Sequence, residues 1–201
     1  MTITTEQIKA LREQTGVGIL DCRKALEDAN GDFEIALENL RAKGLATAAK
    51  RADREATEGI VELYSHGDGR VGVMVEVNCE TDFVARSKEF RNFAHEIALQ
   101  IAAAAPSYIR TEDVPEDVLE LRRSVLHEQA LEEGKPEEII DRIVDGRMDK
   151  YLQEISLLNQ EYIRDDNLTI QKLLLENIAA IGENIIIRRF ERWELGESAS
   201  E

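Results

Sequence analysis

The strongest constraint on the fold is a stretch of alternating residues near the middle of the chain. Polar and apolar side chains alternate from Gly59 to Ser65 and again from Arg70 to Cys79, as in strands that bury one face. The sequence His66-Gly67-Asp68-Gly69 between them is typical of a tight turn. Asn184 to Leu195 is rich in β-branched and aromatic residues, which favours a third strand. We therefore expect a three-stranded antiparallel sheet.

The remaining pattern is mostly helical. Apolar residues recur at helical spacing, Thr4 and Gln7 form a capping box, and glycine or proline marks most helix ends. Ile155 to Ile163 is ambiguous, and Asp165-Asp166-Asn167 is predicted to be a turn. The predicted helices run from about Thr5 to Thr15-Gly16, Ile19 to Ala29, Asp32 to Gly44, Ser87 to Ala105, Pro115 to Gly134, Pro136 to Glu154 and Thr169 to Ile181. Helices that cover an antiparallel sheet make an α+β fold.

These elements divide the chain into a small head and a larger body. Residues 1–44 form a three-helix domain, and 45–58 (LATAAKRADREATE) form a helical linker on the surface because they lack a wide apolar stripe. Residues 59–196 form the α+β core, and 197–201 are a tail.

Charge and composition narrow the class of protein. The 201 residues hold 25 Lys and Arg against 41 Asp and Glu, a net charge of −16, which repels nucleic acid. The only dense basic run is Lys50, Arg51 and Arg54, which is expected to be a solvated face. No signal peptide or membrane span is visible. Cys22 and Cys79 are far apart and without a C-x-x-C motif, which favours a reduced cytoplasmic protein.

A catalytic constellation is not found in the sequence. His66, His95 and His127 fall in a turn and in two separate helices, and no nucleophile elbow, phosphate-binding loop or metalloprotease motif occurs. The turn His66 to Gly69 lacks the further oxygen ligands of a calcium loop. We expect no enzymatic activity, no cofactor and no bound metal.

Four segments together carry a resemblance to a known family. The first contains Leu11-Arg12, Thr15-Gly16-Val17-Gly18, Ile19-Leu20 and Asp21-Cys22-Arg23-Lys24-Ala25-Leu26. The others are EVNCETDFVAR (76–86), GKPEEIIDRIVDGRM (134–148) and IGENIIIRRFERWELGE (181–197). In this order they resemble the elongation factor Ts family over nearly the whole chain. The family often has Met-Met at the position of Ile19-Leu20, and the residue before Thr81, here Glu80, varies.

The resemblance implies a function and an architecture. Family members bind elongation factor Tu carrying GDP, release the GDP and leave a nucleotide-free complex into which GTP can enter. They fold as a ubiquitin-associated-like three-helix domain followed by an α+β core. This chain is similar to a short form with a single half-core, and such forms are expected to be homodimers. Candidates for the dimer interface in the last strand are Ile185, Ile187 and Trp193, which could equally face the body's own helices.

The resemblance also implies a set of site residues. Thr81, Asp82, Phe83 and Val84, expected on a short loop after the second strand, would enter the partner beside its Mg²⁺. Leu11, Ile19 and Leu20 would bind the partner through the head. Two alternatives remain open: Phe83 could begin the core stripe of Phe90, Phe93, Ile97 and Ile101, since it lies seven residues before Phe90, and Leu11 could belong to the head's own core.

Two other classes of function compete with exchange. The chain could be a scaffold or chaperone-like module that captures a partner through its head without altering the partner's nucleotide. It could also be an RNA-binding factor that uses Lys50, Arg51 and Arg54, although the net charge of −16 opposes this. No membrane or direct nucleic-acid partner is expected.

Overall fold

The computed structural model describes residues 3–15 and 17–197. It is an α+β fold with eight α-helices and a three-stranded antiparallel sheet in these residues. The described chain forms two compact units. One holds the chain up to Leu63 with Met74–Ile97 and Lys172–Phe190, and the other holds Tyr64–Val73, Ala98–Gln171 and the chain from Glu191 onward.

The N-terminal domain is built from three helices, α1 (Thr5–Thr15), α2 (Ile19–Asp28) and α3 (Phe33–Ala49). The predicted capping box is present, since the Thr4 N–H donates to Gln7 Oε1 (3.0 Å) and the Gln7 N–H to Thr4 Oγ1 (3.2 Å). Asp32 caps α3 by accepting from the Ile35 N–H at 3.1 Å. The domain is consistent with the ubiquitin-associated-like helices of the resembled family. Its core consists of Leu11, Cys22, Ala25, Leu26, Ala29, Ala36, Leu37 and Leu40.

The end of this domain differs from the sequence prediction. Gly44 was expected to end the third helix, and this is wrong because α3 continues to Ala49. A Cβ at Gly44 would lie only 3.2 Å from the Cβ of Ala179, so the glycine permits a close approach rather than a stop. Residues 45–58 are therefore helical only in their first part. Gly16 and residues 198–201 of the predicted tail lie outside the described residues.

The predicted sheet is confirmed. Strands β1 (Glu58–His66) and β2 (Val71–Cys79) flank the expected turn, and β5 (Ile185–Glu194) pairs beside β2 in the order β1-β2-β5. Inward positions of β2 alternate as expected, with Val73, Val75 and Val77 buried. A Cβ on Gly59, whose φ is +147°, would lie 2.2 Å from the Val77 carbonyl oxygen, so only glycine fits there.

The segments between β2 and β5 are mostly helical, as predicted. They are α4 (Asp82–Ala85), α5 (Lys88–Ala104), α6 (Glu116–Glu132), α7 (Glu137–Ile155) and α8 (Ile170–Ile181), with one-turn 3-10 helices at Thr111–Asp113 and Leu157–Asn159. A small hairpin joins β3 (Glu161–Tyr162) to β4 (Asp165–Thr169). The turn predicted at Asp165 to Asn167 is thus wrong, because β4 already begins at Asp165.

Helices α6 and α7 pack against each other around their own core. Their buried residues are Leu126, Ala130, Ile140, Val144 and Met148. The Arg122 guanidinium lies 4.7 Å above the ring of Tyr151, a cation–π contact within the same pair.

Candidate functional site

The central feature of the site is an exposed phenylalanine on a single helical turn. The loop expected at Asp82 and Phe83 is instead the short helix α4. Thr81 is its N-cap, with an extended backbone and a hydroxyl that accepts from the Val84 N–H at 3.4 Å, the usual role of threonine there. Phe83 is 82% exposed. The alternative that Phe83 joins the core stripe is therefore excluded, while Phe90 is fully buried.

The turn is anchored on both sides by buried residues. Cys79 at the end of β2 and Ala85 at the end of α4 are both buried. The Cys79 thiol donates to the Thr81 carbonyl oxygen at 3.2 Å. Burial raises the pKa of this thiol to about 11, and the Glu183 carboxylate acts in the same direction. Cys79 is thus an uncharged structural thiol under the turn.

Asp82, on the same turn, has a partly exposed carboxylate. Its oxygen lies 2.9 Å from Arg86 Nη2, and the pair is separated by four residues. Pairs of this kind at an exposed surface contribute little to stability, on the order of 0.5 kcal/mol. The carboxylate can therefore exchange this arginine for a cation or a donor on another molecule at small cost.

A second segment, between α8 and β5, holds the backbone just before the turn. The Glu183 carboxylate accepts from the N–H groups of Glu80 (3.1 Å) and Thr81 (3.0 Å) through Oε2, and from the Thr81 hydroxyl (2.7 Å) through Oε1. In return, Glu80 Oε1 accepts from the Asn184 N–H at 2.7 Å. Sequence reasoning missed Glu80, Glu183 and Asn184 as site residues. The only available signal was the presence of E-T and E-N pairs in two of the segments that carry the family resemblance.

The head presents two apolar residues at the start of α2. Ile19 is 53% and Leu20 81% exposed, so both side chains are accessible to a partner. The Thr15 hydroxyl donates to the Leu11 carbonyl oxygen at 2.7 Å and accepts from the Val17 N–H at 3.4 Å, which fixes the chain entering α2. Leu11 itself is fully buried in the head's core and offers no surface.

The basic run has partners inside the protein. Arg51 Nη1 donates to the Ile178 carbonyl oxygen at 3.2 Å, and Arg54 Nη1 lies 3.5 Å from Glu80 Oε1. Two of its three cations are thus committed to intramolecular contacts. This weakens the RNA-binding alternative.

Two of the three histidines have side-chain partners. His66 contacts Tyr64 at 3.0 Å, and His95 contacts Glu62 at 2.9 Å. Within residues 3–15 and 17–197, no three His, Cys, Asp or Glu side chains are arranged to hold a metal ion. None of the helices described by the structure is long and apolar enough to cross a membrane.

Comparisons with known proteins agree with one another. The family model described as "Elongation factor TS" matches residues 37–197. The chain is 58% identical over 195 residues to the elongation factor Ts of Carboxydothermus hydrogenoformans, covering 97% of this chain and 90% of that protein. It is 60% identical to that of Caldanaerobacter subterraneus subsp. tengcongensis, covering 97% and 98%, and 54% identical to that of Moorella thermoacetica, covering 97% and 96%.

Proposed function

The chain belongs to the elongation factor Ts family, and we propose that it promotes guanine nucleotide exchange on elongation factor Tu during translation in the cytoplasm. In this proposal the three-helix domain binds the partner, and the α+β body carries out exchange and dimerisation. The protein performs no chemical reaction of its own and contacts no nucleic acid directly.

The observation that carries the proposal is the exposure of Phe83 on a fixed turn. An aromatic ring that is 82% exposed gains substantially when a partner covers it. Because α4 is capped by Thr81 and anchored by buried Cys79 and Ala85, the backbone that carries the ring loses little conformational entropy on binding. Such preorganised aromatic anchors are typical of residues that dominate an interface.

Exchange follows from thermodynamic linkage. A factor that binds nucleotide-free elongation factor Tu more tightly than the GDP-bound form must weaken GDP binding by the same factor. No acid or base is needed for this. The factor needs only a group that competes with the arrangement of the GDP-bound state.

We propose that Thr81 to Val84 provide this competition beside the partner's Mg²⁺ site. Phe83 would insert between side chains that pack only in the GDP-bound arrangement. The Asp82 carboxylate, paired with Arg86 in the free protein, would disturb the oxygen ligands around the ion. Mg²⁺ would then leave first and GDP second, because the cation balances the phosphate charge.

The head contributes affinity rather than exchange. Ile19 and Leu20 lie side by side on the first turn of α2 and are both exposed, and an apolar surface of the partner would cover them. Leu11 supports this surface from within the head's core.

Assembly as a homodimer is a separate proposal. Trp193, near the end of β5, is 77% exposed, and a second copy of the chain could cover it through a symmetric contact. Ile185 and Ile187 are buried within the chain, as the alternative for these residues held. The proposed interface therefore rests on Trp193.

The competing function is capture of the partner without an effect on nucleotide. The test is the rate of release of a fluorescent GDP analogue from elongation factor Tu, with excess unlabelled GDP, at increasing concentrations of the protein. Exchange activity predicts a rate that rises and then saturates. A complex that forms at an unchanged release rate would support the capture module and overturn the exchange proposal.

A further inference from the structure

The backbone that enters the exchange turn, Thr81 to Val84, is held by a carboxylate from a distant part of the chain. Glu183 stands between α8 and β5, 102 residues from Thr81 in sequence. Its two oxygens accept three hydrogen bonds, from the N–H groups of Glu80 and Thr81 and from the Thr81 hydroxyl, at 2.7–3.1 Å. Hydrogen bonds to an ionised acceptor are about twice as strong as neutral ones.

The segments Glu80–Thr81 and Glu183–Asn184 each accept a hydrogen bond from the other. Glu80 Oε1 accepts from the Asn184 N–H at 2.7 Å. The buried Asn184 amide donates to the carbonyl oxygens of Ala52 (3.2 Å) and Arg54 (2.7 Å). The segment before the turn and the segment before β5 therefore fix each other, and neither can shift without losing several hydrogen bonds.

The Thr81 hydroxyl links this contact to the turn. A hydroxyl has one proton, and the Thr81 hydroxyl donates it in a hydrogen bond to Glu183 Oε1 at 2.7 Å. The lone pairs of the same oxygen are then free to accept from the Val84 N–H at 3.4 Å, which closes α4. Glu183 thus determines the orientation of the group that caps the exchange turn.

The direction of the Phe83 ring depends on how its backbone is held. Its ring is 82% exposed, so packing within the chain does not select its direction. The direction is set by the backbone of Thr81 to Val84. A turn that could rock would present the ring in many orientations and would lose the entropy of ordering it at each encounter.

We propose that Glu183 is a positioning residue for nucleotide exchange, which acts by orienting Phe83 through Thr81. The inference rests on the proposed exchange function. It adds a residue outside the Thr81 to Val84 turn to the exchange machinery, and it assigns that residue no contact with the partner.

Three variants separate the parts of this arrangement. Glu183→Ala removes all three hydrogen bonds, and we expect GDP release to become about tenfold slower. Glu183→Gln keeps an amide oxygen for the two N–H groups but cannot accept the hydroxyl proton as well, and about threefold slower release is expected. Thr81→Val removes only the hydroxyl and should resemble Glu183→Gln. Glu176→Ala is the matched control, because it removes the same charge from an exposed ion pair with Arg41.

A double-mutant cycle distinguishes positioning from a general structural role. If Glu183 acts through Phe83, adding Glu183→Ala to Phe83→Ala should slow GDP release by less than about twofold further. A tenfold further loss in the Phe83→Ala background would overturn the proposal, because the effect would then not pass through the ring.

A measurement without the partner keeps this test separate from the exchange function. The protein is labelled with 4-fluorophenylalanine at its five phenylalanines, and the ¹⁹F resonance of residue 83 is identified from its absence in Phe83→Leu. Glu183→Ala and Thr81→Val should shift and narrow this resonance while those of Phe90 and Phe93 stay in place.

The outcomes are then distinct. An unchanged residue-83 resonance in both variants would overturn the positioning role even if exchange is confirmed. A shifted and narrowed resonance in a protein that does not accelerate GDP release would support the arrangement and overturn the exchange function. If Glu183→Ala does not fold, Thr81→Val and Glu183→Gln decide the question by the same two measurements.

Discussion

Truncating the exposed Phe83 ring is the most direct perturbation of the proposed exchange site. Phe83→Ala should leave the free energy of unfolding within about 0.5 kcal/mol of wild type, because an 82% exposed side chain makes few contacts that the mutation could remove. The same exposure means that most of its surface remains available for burial against the partner.

The magnitude follows from that available surface. A phenylalanine side chain can bury about 200 Å², of which roughly four fifths is still exposed before binding. At about 25 cal/mol per Å², full coverage is worth at most about 4 kcal/mol. Alanine retains part of this, and truncation of a residue that dominates an interface costs about 2 kcal/mol or more. We therefore expect GDP release to slow by about thirtyfold at subsaturating concentrations of the protein.

The assay is stopped-flow release of a fluorescent GDP analogue, with circular dichroism and thermal melting of each variant alongside. Leu121→Ala on α6 is the matched control, because Leu121 is also a large and exposed apolar residue, and its loss should not change the rate. Phe83→Leu should fall between wild type and Phe83→Ala. Wild-type exchange by a folded Phe83→Ala variant, or a fall in melting temperature of more than about 5 °C, would refute the reasoning.

The remaining predictions concern binding, assembly and the thiol under the turn. Replacing both Ile19 and Leu20 by serine should weaken complex formation about tenfold or more without changing the melting temperature, as measured by calorimetry; unchanged affinity would exclude the head contact. Light scattering at micromolar concentration should give twice the chain mass of 22.7 kDa, and Trp193→Ser should shift it toward one chain, whereas a wild-type monomer would exclude the dimer. Cys79 should resist a disulfide reagent at pH 8 until the protein unfolds, since the thiol is buried and its pKa is raised to about 11. Rapid native labelling of Cys79 would contradict this.

Much of the fold could be predicted because its signals are local. The hairpin of β1 and β2 follows from alternation and a glycine-rich turn, and the capping box at Thr4 places the start of α1. Each of these features depends on residues a few positions apart, where spacing alone determines which side chains meet.

The errors arose where a residue's role depends on a distant element. Gly44 has the local signature of a helix end, but it lies within α3, where its missing side chain leaves room for the close approach of Ala179. Nothing near Gly44 in sequence indicates that neighbour. The helical turn at Asp82 was missed for a different reason: four residues are too few to show a periodicity.

The candidate site contains one residue with a local sequence signal and one whose role depends on a distant element. Phe83 could be singled out because it interrupts the pattern between β2 and α5, while Glu183 could not, since its partners lie more than a hundred residues away. The exposed Phe83 ring and the Glu183 hydrogen bonds nevertheless belong to the same site. An exposed ring is useful as an anchor only if its backbone is held in place. Backbone groups beyond the end of a strand no longer pair within the sheet, so they need other hydrogen-bond partners. The Glu183 carboxylate accepts from the N–H groups of Glu80 and Thr81, and the Asn184 N–H donates to Glu80 Oε1. Glu183 and Asn184 lie just before β5, the strand that pairs with β2, so we expect the elements that form the sheet also to hold the backbone that carries Phe83.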